Sequence, residues 1–352
     1  MLDKDYAKYH KGIIDAEQAI FVDNDSLTGL RLFKKTFSSY DFVFVDDCVE
    51  ALQLALIFKR EDYAMFFVKR AIDNGLELKA LDYLTLACQC NGNHDFKQKV
   101  VVHQQFVKKN QSYLDAYAQS VYIKYLQKID KELVAAVLKL HIRTQLYKNY
   151  HHGLSLTMAR DEKQEMKNQE AEYLTVVDNN LAFLDSLFSL GIYLGEKNLG
   201  VYTAKQITML KLPFGSIEEL LQQVLDFYRL PRNTWVPIIS EQYNYFEQSP
   251  LYLIMFNNEK TFDMLTKYKD DAIRKGFLHP REYASLKYNH GGFVKETELY
   301  LSPRIKRPEE TININKRRAT LLLPTYESDY NKHEFAHKHS LQLLFGKFKG
   351  TR

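Results

Sequence analysis

Nowhere in the 352-residue chain do 18 apolar residues run uninterrupted, so no membrane-spanning helix is expected. Proline and glycine are scarce, at 8 and 14 residues, which leaves little turn material and argues against a many-stranded sheet. Three cysteines (Cys48, Cys88, Cys90) cannot build a disulfide framework and suit a reducing compartment. The opening Met1-Leu2-Asp3-Lys4-Asp5 has no basic-then-apolar run, so no secretory signal is expected and the cytoplasm is the default location. Glycine-rich phosphate loops, dinucleotide fingerprints and nucleophile–base pairs are missing as well. No cofactor is expected, and catalysis is not the leading expectation.

A strong charge of one sign is also lacking. The net charge is +4, and residues 1–150 carry 21 Lys/Arg against 19 Asp/Glu. Residues 303–352 are the exception, with 11 basic against 5 acidic side chains, and read as a solvated basic tail. No segment interleaves basic and aromatic residues like a nucleic-acid module, so no nucleic-acid partner is expected.

What is present is apolar and aromatic material, 45% hydrophobic residues with 24 Tyr and 22 Phe but one Trp (Trp235). Apolar residues recur at helical spacing over most of the chain, which predicts an all-α fold. The length predicts two domains, here 1–150 and 151–352. Helices are expected over 5–22, from Ser26 to about Ser39, and over 43–59 and 62–74, the last closed by Asn74-Gly75. Two further hairpins are expected at 78–91 with 95–109, and at 112–128 with 131–148.

Asp62-Tyr63 recurs as Asp95-Phe96, 33 residues later, and the Phe33 to Phe37 pattern recurs as Val68 to Ile72, 35 later. Gly29 and Ala64 begin second helices, where two backbones must approach closely. The period near 34, with two helices per unit, resembles tetratricopeptide-type repeats over about residues 5–148. That resemblance implies an α-α superhelix whose concave face binds a peptide or protein partner.

Beyond Leu154, residues 155–190 read as one long helix or two in tandem, and Ser216-Ile217-Glu218-Glu219 as a capping box opening a helix to about Arg229. A helix over 259–275 should end at Gly276 and another should begin at Pro280. Residues 296–301 and 319–323 read as short strands or extended arms. Arg160-Asp161, Asp178-Asn179-Asn180, Gly191, Gly195 and Gly200, Ala272 to Gly276, Pro280, Tyr283-Ala284 and Asn315 to Arg318 together resemble an uncharacterised helical domain of bacterial proteins, over about 155–330. Asn257-Asn258 and Lys287-Tyr288 depart from its pattern, and the resemblance implies no activity.

Three constellations bear on chemistry. His333-Glu334-Phe335-Ala336-His337 fits H-E-x-x-H, which on a helix sets two His on one face to share a metal, but no third ligand follows within the last fifteen residues. It is the metal candidate (His333, His337) and the anchor of an alternative hydrolase reading, which would otherwise use a site within 155–330. Cys88-Gln89-Cys90 with His94 has the wrong spacing for structural zinc, and Cys48 and Cys88 read as small buried hydrophobes. His151 and His152, with Arg160, Asp161, Asp178 and Asn179, form a candidate pocket where the repeats meet the second domain. Tyr113, Tyr117, Tyr122 and Tyr125 recur at helical spacing and read as core.

Overall fold

The computed structural model of the chain describes residues 4–79, 81, 96–157, 163–201, 203–227, 259–289, 308–339 and 343. Among these the fold is all-α, with fourteen helices and no strand. In order they are α1 (Tyr6–Phe21), α2 (Ser26–Ser38), α3 (Val45–Ile57), α4 (Glu61–Asp73), α5 (Phe96–Leu126), α6 (Lys131–Thr157), α7 (Lys163–Ser189) and α8 (Glu196–Leu199). Then come α9 (Ala204–Leu210), α10 (Ile217–Phe227), α11 (Glu259–Arg274), α12 (Pro280–Asn289), α13 (Pro308–Thr320) and α14 (Tyr326–His339). No described helix is long and apolar enough to cross a membrane.

The chain divides into two compact units. The first comprises Met1–Tyr125, Asn244–Glu247 and Lys269–Arg352, and the second Leu126–Tyr243 and Gln248–Tyr268. Residues 269–352 therefore belong with the N-terminal helices, a chain return that a division at residue 150 does not contain.

In the first unit α1 packs on α2 and α3 on α4. The α1/α2 turn is closed by Asp25, whose side chain accepts from the Thr28 amide at 3.0 Å, so Asp25 rather than Ser26 caps α2. Gly29 lets α2 approach α1, since a Cβ there would collide with Ile20. Phe67 of α4 meets Phe33 and Phe37 of α2 edge to face. Helix α3 is buried almost all round and forms the centre of this unit.

Gly75, with φ 99°, ends α4 in a conformation that costs a side-chain-bearing residue, and a Cβ there would strike the Tyr125 ring. Gly276 repeats the device after α11, with φ 77° and the Tyr6 ring 2.7 Å from a would-be Cβ.

The expected break at residues 110–111 does not occur, because α5 runs continuously from Phe96 to Leu126. No Gly or Pro interrupts it, and Asn110 bonds back along the helix to the Phe106 carbonyl at 2.8 Å. Apart from residues 78, 79 and 81, the helix expected over 78–91 lies outside the described residues, as do Cys88, Cys90, His94 and residues 296–301. Residues 319 and 320 end α13 instead of forming an arm, and Leu321 and Leu323 are buried behind it.

In the second unit α6 packs on α7 and touches α8 and α10. Val134, Val137, Leu138 and Ile142 of α6 are buried, as are Val177, Leu184 and Phe188 of α7. The buried Asn180 amide donates to Thr144 Oγ1 at 2.7 Å and joins the two helices. The capping box at 216–219 forms as expected: Ser216 Oγ accepts from the Glu219 amide at 3.1 Å, and Glu219 accepts from the Ser216 amide at 3.3 Å.

Candidate functional site

The residues most demanding of explanation are charged and buried, all within the first unit. Helix α3 carries buried Asp47, Glu50 and Gln53 at spacings of three, one polar stripe on a helix that is otherwise apolar apart from the half-buried Asp46. Helix α1 adds His10 and Glu17, two turns apart. Facing groups come from the far end of the sequence: Arg281 in the first turn of α12, Arg318 near the end of α13, and Asp329 and Lys332 on α14.

Most of these groups pair, although Glu50 Oε1 and His10 Nε2 are buried without a hydrogen-bond partner among the described residues. Lys332 Nζ donates to Glu17 Oε1 at 2.7 Å and to Glu50 Oε2 at 2.6 Å. The Arg281 guanidinium reaches Glu17 Oε2 at 2.7 Å with one nitrogen and Asp329 Oδ1 at 3.0 Å with the other. Arg318 binds Asp329 as well, and its Nε donates to the Pro324 carbonyl at 2.6 Å. Three carboxylates thus meet three cations, and the fork geometry of arginine lets each guanidinium serve two acceptors.

The environment divides the carboxyl groups. Burial alone would raise Asp329, but Arg281 and Arg318 overcome it and hold the group at about 2. Glu50 has a smaller share of positive charge, since it divides Lys332 with Glu17, and burial pushes it up to about 8. Burial works against the charge of Arg281 too, but Asp329 and Glu17 raise it above the ordinary arginine range.

A second cluster continues the stripe. Tyr9 donates its hydroxyl to Asp47 Oδ2 at 2.7 Å, and His279 Nε2 lies 3.3 Å from Asp47 Oδ1. His279 precedes α12, and its Nδ1 accepts the Arg281 amide at 3.1 Å, which leaves Nε2 near Asp47 but outside hydrogen-bond geometry. Burial raises Tyr9, helped by Asp47. Burial lowers His10, with His279 adding to it at a ring separation of 5.1 Å. For Asp47 burial is opposed by His279 and Tyr9, and the net direction is down.

Chemically, both clusters are largely matched within the molecule, with Glu50 Oε1, His10 Nε2 and His279 Nε2 left over among the described residues. Each charge is spent on another side chain of the same molecule, and the result is a fastening between α1, α3 and the returning α12–α14. Comparison with known proteins adds no assignment. No family model, curated protein or solved structure matches this chain.

The sites expected from sequence fare differently. His333, Glu334 and His337 lie on the exposed side of α14, and no group of three or more His, Cys, Asp or Glu suited to a metal occurs among the described residues. Arg160 and Asp161 lie outside the described residues, as do the side chains of His151 and His152. Asp178 and Asn179 are exposed on α7, and their neighbour Asn180 is the buried one. Cys48 is buried as expected.

The basic tail is not uniformly solvated: Arg318 and Lys332 are 1% and 0% exposed. Sequence reasoning passed over them because charge composition reports numbers, not faces. The available signal was local, a Glu at position 50 inside the apolar run Cys48 to Leu56.

Helices α2, α4 and α5 of this unit carry exposed and half-buried side chains among the described residues. Lys34 of α2 stands 5.4 and 5.3 Å from the Tyr63 and Phe66 rings of α4. Lys69 of α4 stands 4.2 Å over the Tyr117 ring of α5 and donates to the Tyr113 hydroxyl at 3.2 Å. Tyr113 is 51% exposed, so this tyrosine, expected in the core, is at the surface.

Proposed function

We propose that this chain is a cytoplasmic protein-interaction scaffold, built on tetratricopeptide-like hairpins, that meets a protein or peptide partner on the outward side of α2, α4 and α5. The observation that carries the reading is the contrast between the two sides of the first unit. The side made by the first helices, α1 and α3, is taken by the chain's own α12 and α14 through Glu17, Glu50, Arg281 and Lys332. The side made by the second helices keeps Lys34, Phe66, Lys69 and Tyr113 at least partly in solvent.

Repeat character is supported by the pairing of α1 with α2 and α3 with α4, the close approach at Gly29 and the full burial of Ala64. The bacterial-domain reading over about 155–330 is supported by Gly276, which ends α11, and Pro280, which opens α12. Internal pairing of the buried charges favours binding over catalysis.

The test is cross-linking with mass spectrometry on the full chain purified from its host. Partner cross-links should gather at Lys34, Lys35, Lys69 and Lys109. Partner cross-links confined to the second unit would sink the reading.

A further inference from the structure

Resting on that interaction reading, we infer that the partner segment is acidic and apolar in alternation, and that its carboxylates meet Lys34 and Lys69 while its apolar side chains lie on Phe66 and Tyr113. The balance of charge on three adjacent helices, α2, α4 and α5, favours such a segment. The acidic groups of this surface are engaged within the chain: Glu61 takes Lys109 at 2.7 Å, Asp62 takes Arg60 at 3.0 Å, and Asp115 accepts from Gln111 at 2.9 Å. Asp73 accepts the Tyr117 hydroxyl at 2.7 Å and lies 3.5 Å from Arg70.

The cations Lys34 and Lys69 rest on ring faces, and Arg31 and Lys35 beside Lys34 are exposed. An ammonium over a ring keeps hydrogen-bond donors for a carboxylate, because the quadrupole attraction uses charge and not a specific N–H. Phe66 and Lys69 are one turn apart on α4, so an extended or helical segment crossing α4 meets a ring and a cation in succession. Single-stranded nucleic acid is the other polymer that reads cations and rings, and the measurement below separates it from an acidic peptide.

Fluorescence anisotropy on the full chain tests this. The probe is a labelled twelve-residue peptide alternating Asp or Glu with Leu or Phe. Its controls are the same peptide with amides for the carboxylates and an oligouridylate of equal length. The acidic peptide should bind at least about tenfold tighter than the amide control and weaken as salt rises.

Lys34→Glu with Lys69→Glu should lower its affinity by about tenfold or more, with the far-UV circular dichroism unchanged, since neither side chain is in the core. Tyr113→Ala should weaken the alternating peptide more than a purely acidic one. Equal binding of acid and amide peptides, indifference to the double reversal, or tighter binding of the oligouridylate would each overturn the inference. If these fail while host-partner cross-links still fall on Lys34 and Lys69, only the partner chemistry is lost. If the cross-links are absent from this face too, the interaction reading goes with it.

Discussion

The Lys332 ammonium donates a 2.6 Å hydrogen bond to Glu50, joining two buried residues 282 positions apart in the chain. Glu50 is the carboxylate least compensated in its cluster, and among the described residues Lys332 is the only cation it contacts directly. The pair therefore ties the central helix α3 to the last long helix described, α14.

Removing Lys332 should be severe. Lys332→Met leaves Glu17 with Arg281 alone and removes the donor to Glu50 Oε2, a cost on the order of 3–5 kcal/mol. A loss of that size in the unfolding free energy extrapolated from urea titration is expected. Lys109→Ala, which removes the exposed pair with Glu61, should cost less than about 1 kcal/mol.

The pH response should be asymmetric. Glu50 titrates near 8 in the fold against about 4.3 in an unfolded chain, so the native state holds the extra proton in between. Its contribution is fully present below the unfolded value and is lost as pH rises through 8. The lowered His10 opposes this below about 6.5, where the unfolded chain takes up a proton that the fold refuses. Between pH 6.5 and 8 Glu50 acts alone of the two. Stability should fall there by roughly 1–2 kcal/mol, and Glu50→Gln should flatten that decline in denaturant titrations.

At the acid end Asp329 takes over. Its folded value of about 2 lies below the unfolded carboxylate range, so its stabilisation is present above about pH 4 and is lost as pH falls towards 2. Asp329→Asn should leave Arg281 and Arg318 under-compensated, destabilise the protein at neutral pH and make acid unfolding less steep.

Two glycines should resist replacement. Gly75→Ala and Gly276→Ala each combine a positive φ with a ring lying on the backbone, Tyr125 and Tyr6 respectively. Each should lower stability by at least about 1 kcal/mol. Gly75→Ala combined with Tyr125→Ala should cost less than the sum, and thermal melts of the single and double variants measure this.

The N-terminal hairpins should not be self-sufficient. Residues 1–150 expressed alone would expose Glu17 and Glu50 without Arg281 and Lys332, together with the surface of α1 that α14 covers. This fragment should lose cooperative unfolding in near-UV circular dichroism, and adding residues 269–352 as a separate chain should restore it.

Local chemistry alone settled the all-α class, the turns at Asn74-Gly75 and Gly276, and the capping box at Ser216, because each depends on residues within one or two helical turns. It also marked Gly29 as a point of close approach. It misjudged residues 110–111, where polar residues without Gly or Pro do not break α5. Tertiary structure alone decided which charges are buried. Glu17, Glu50, Arg281, Arg318, Asp329 and Lys332 look like surface charges in sequence, and become one network only when the chain returns after 269 and brings both ends together. That return depends on long-range pairing across separations of up to 315 positions, which no local periodicity encodes.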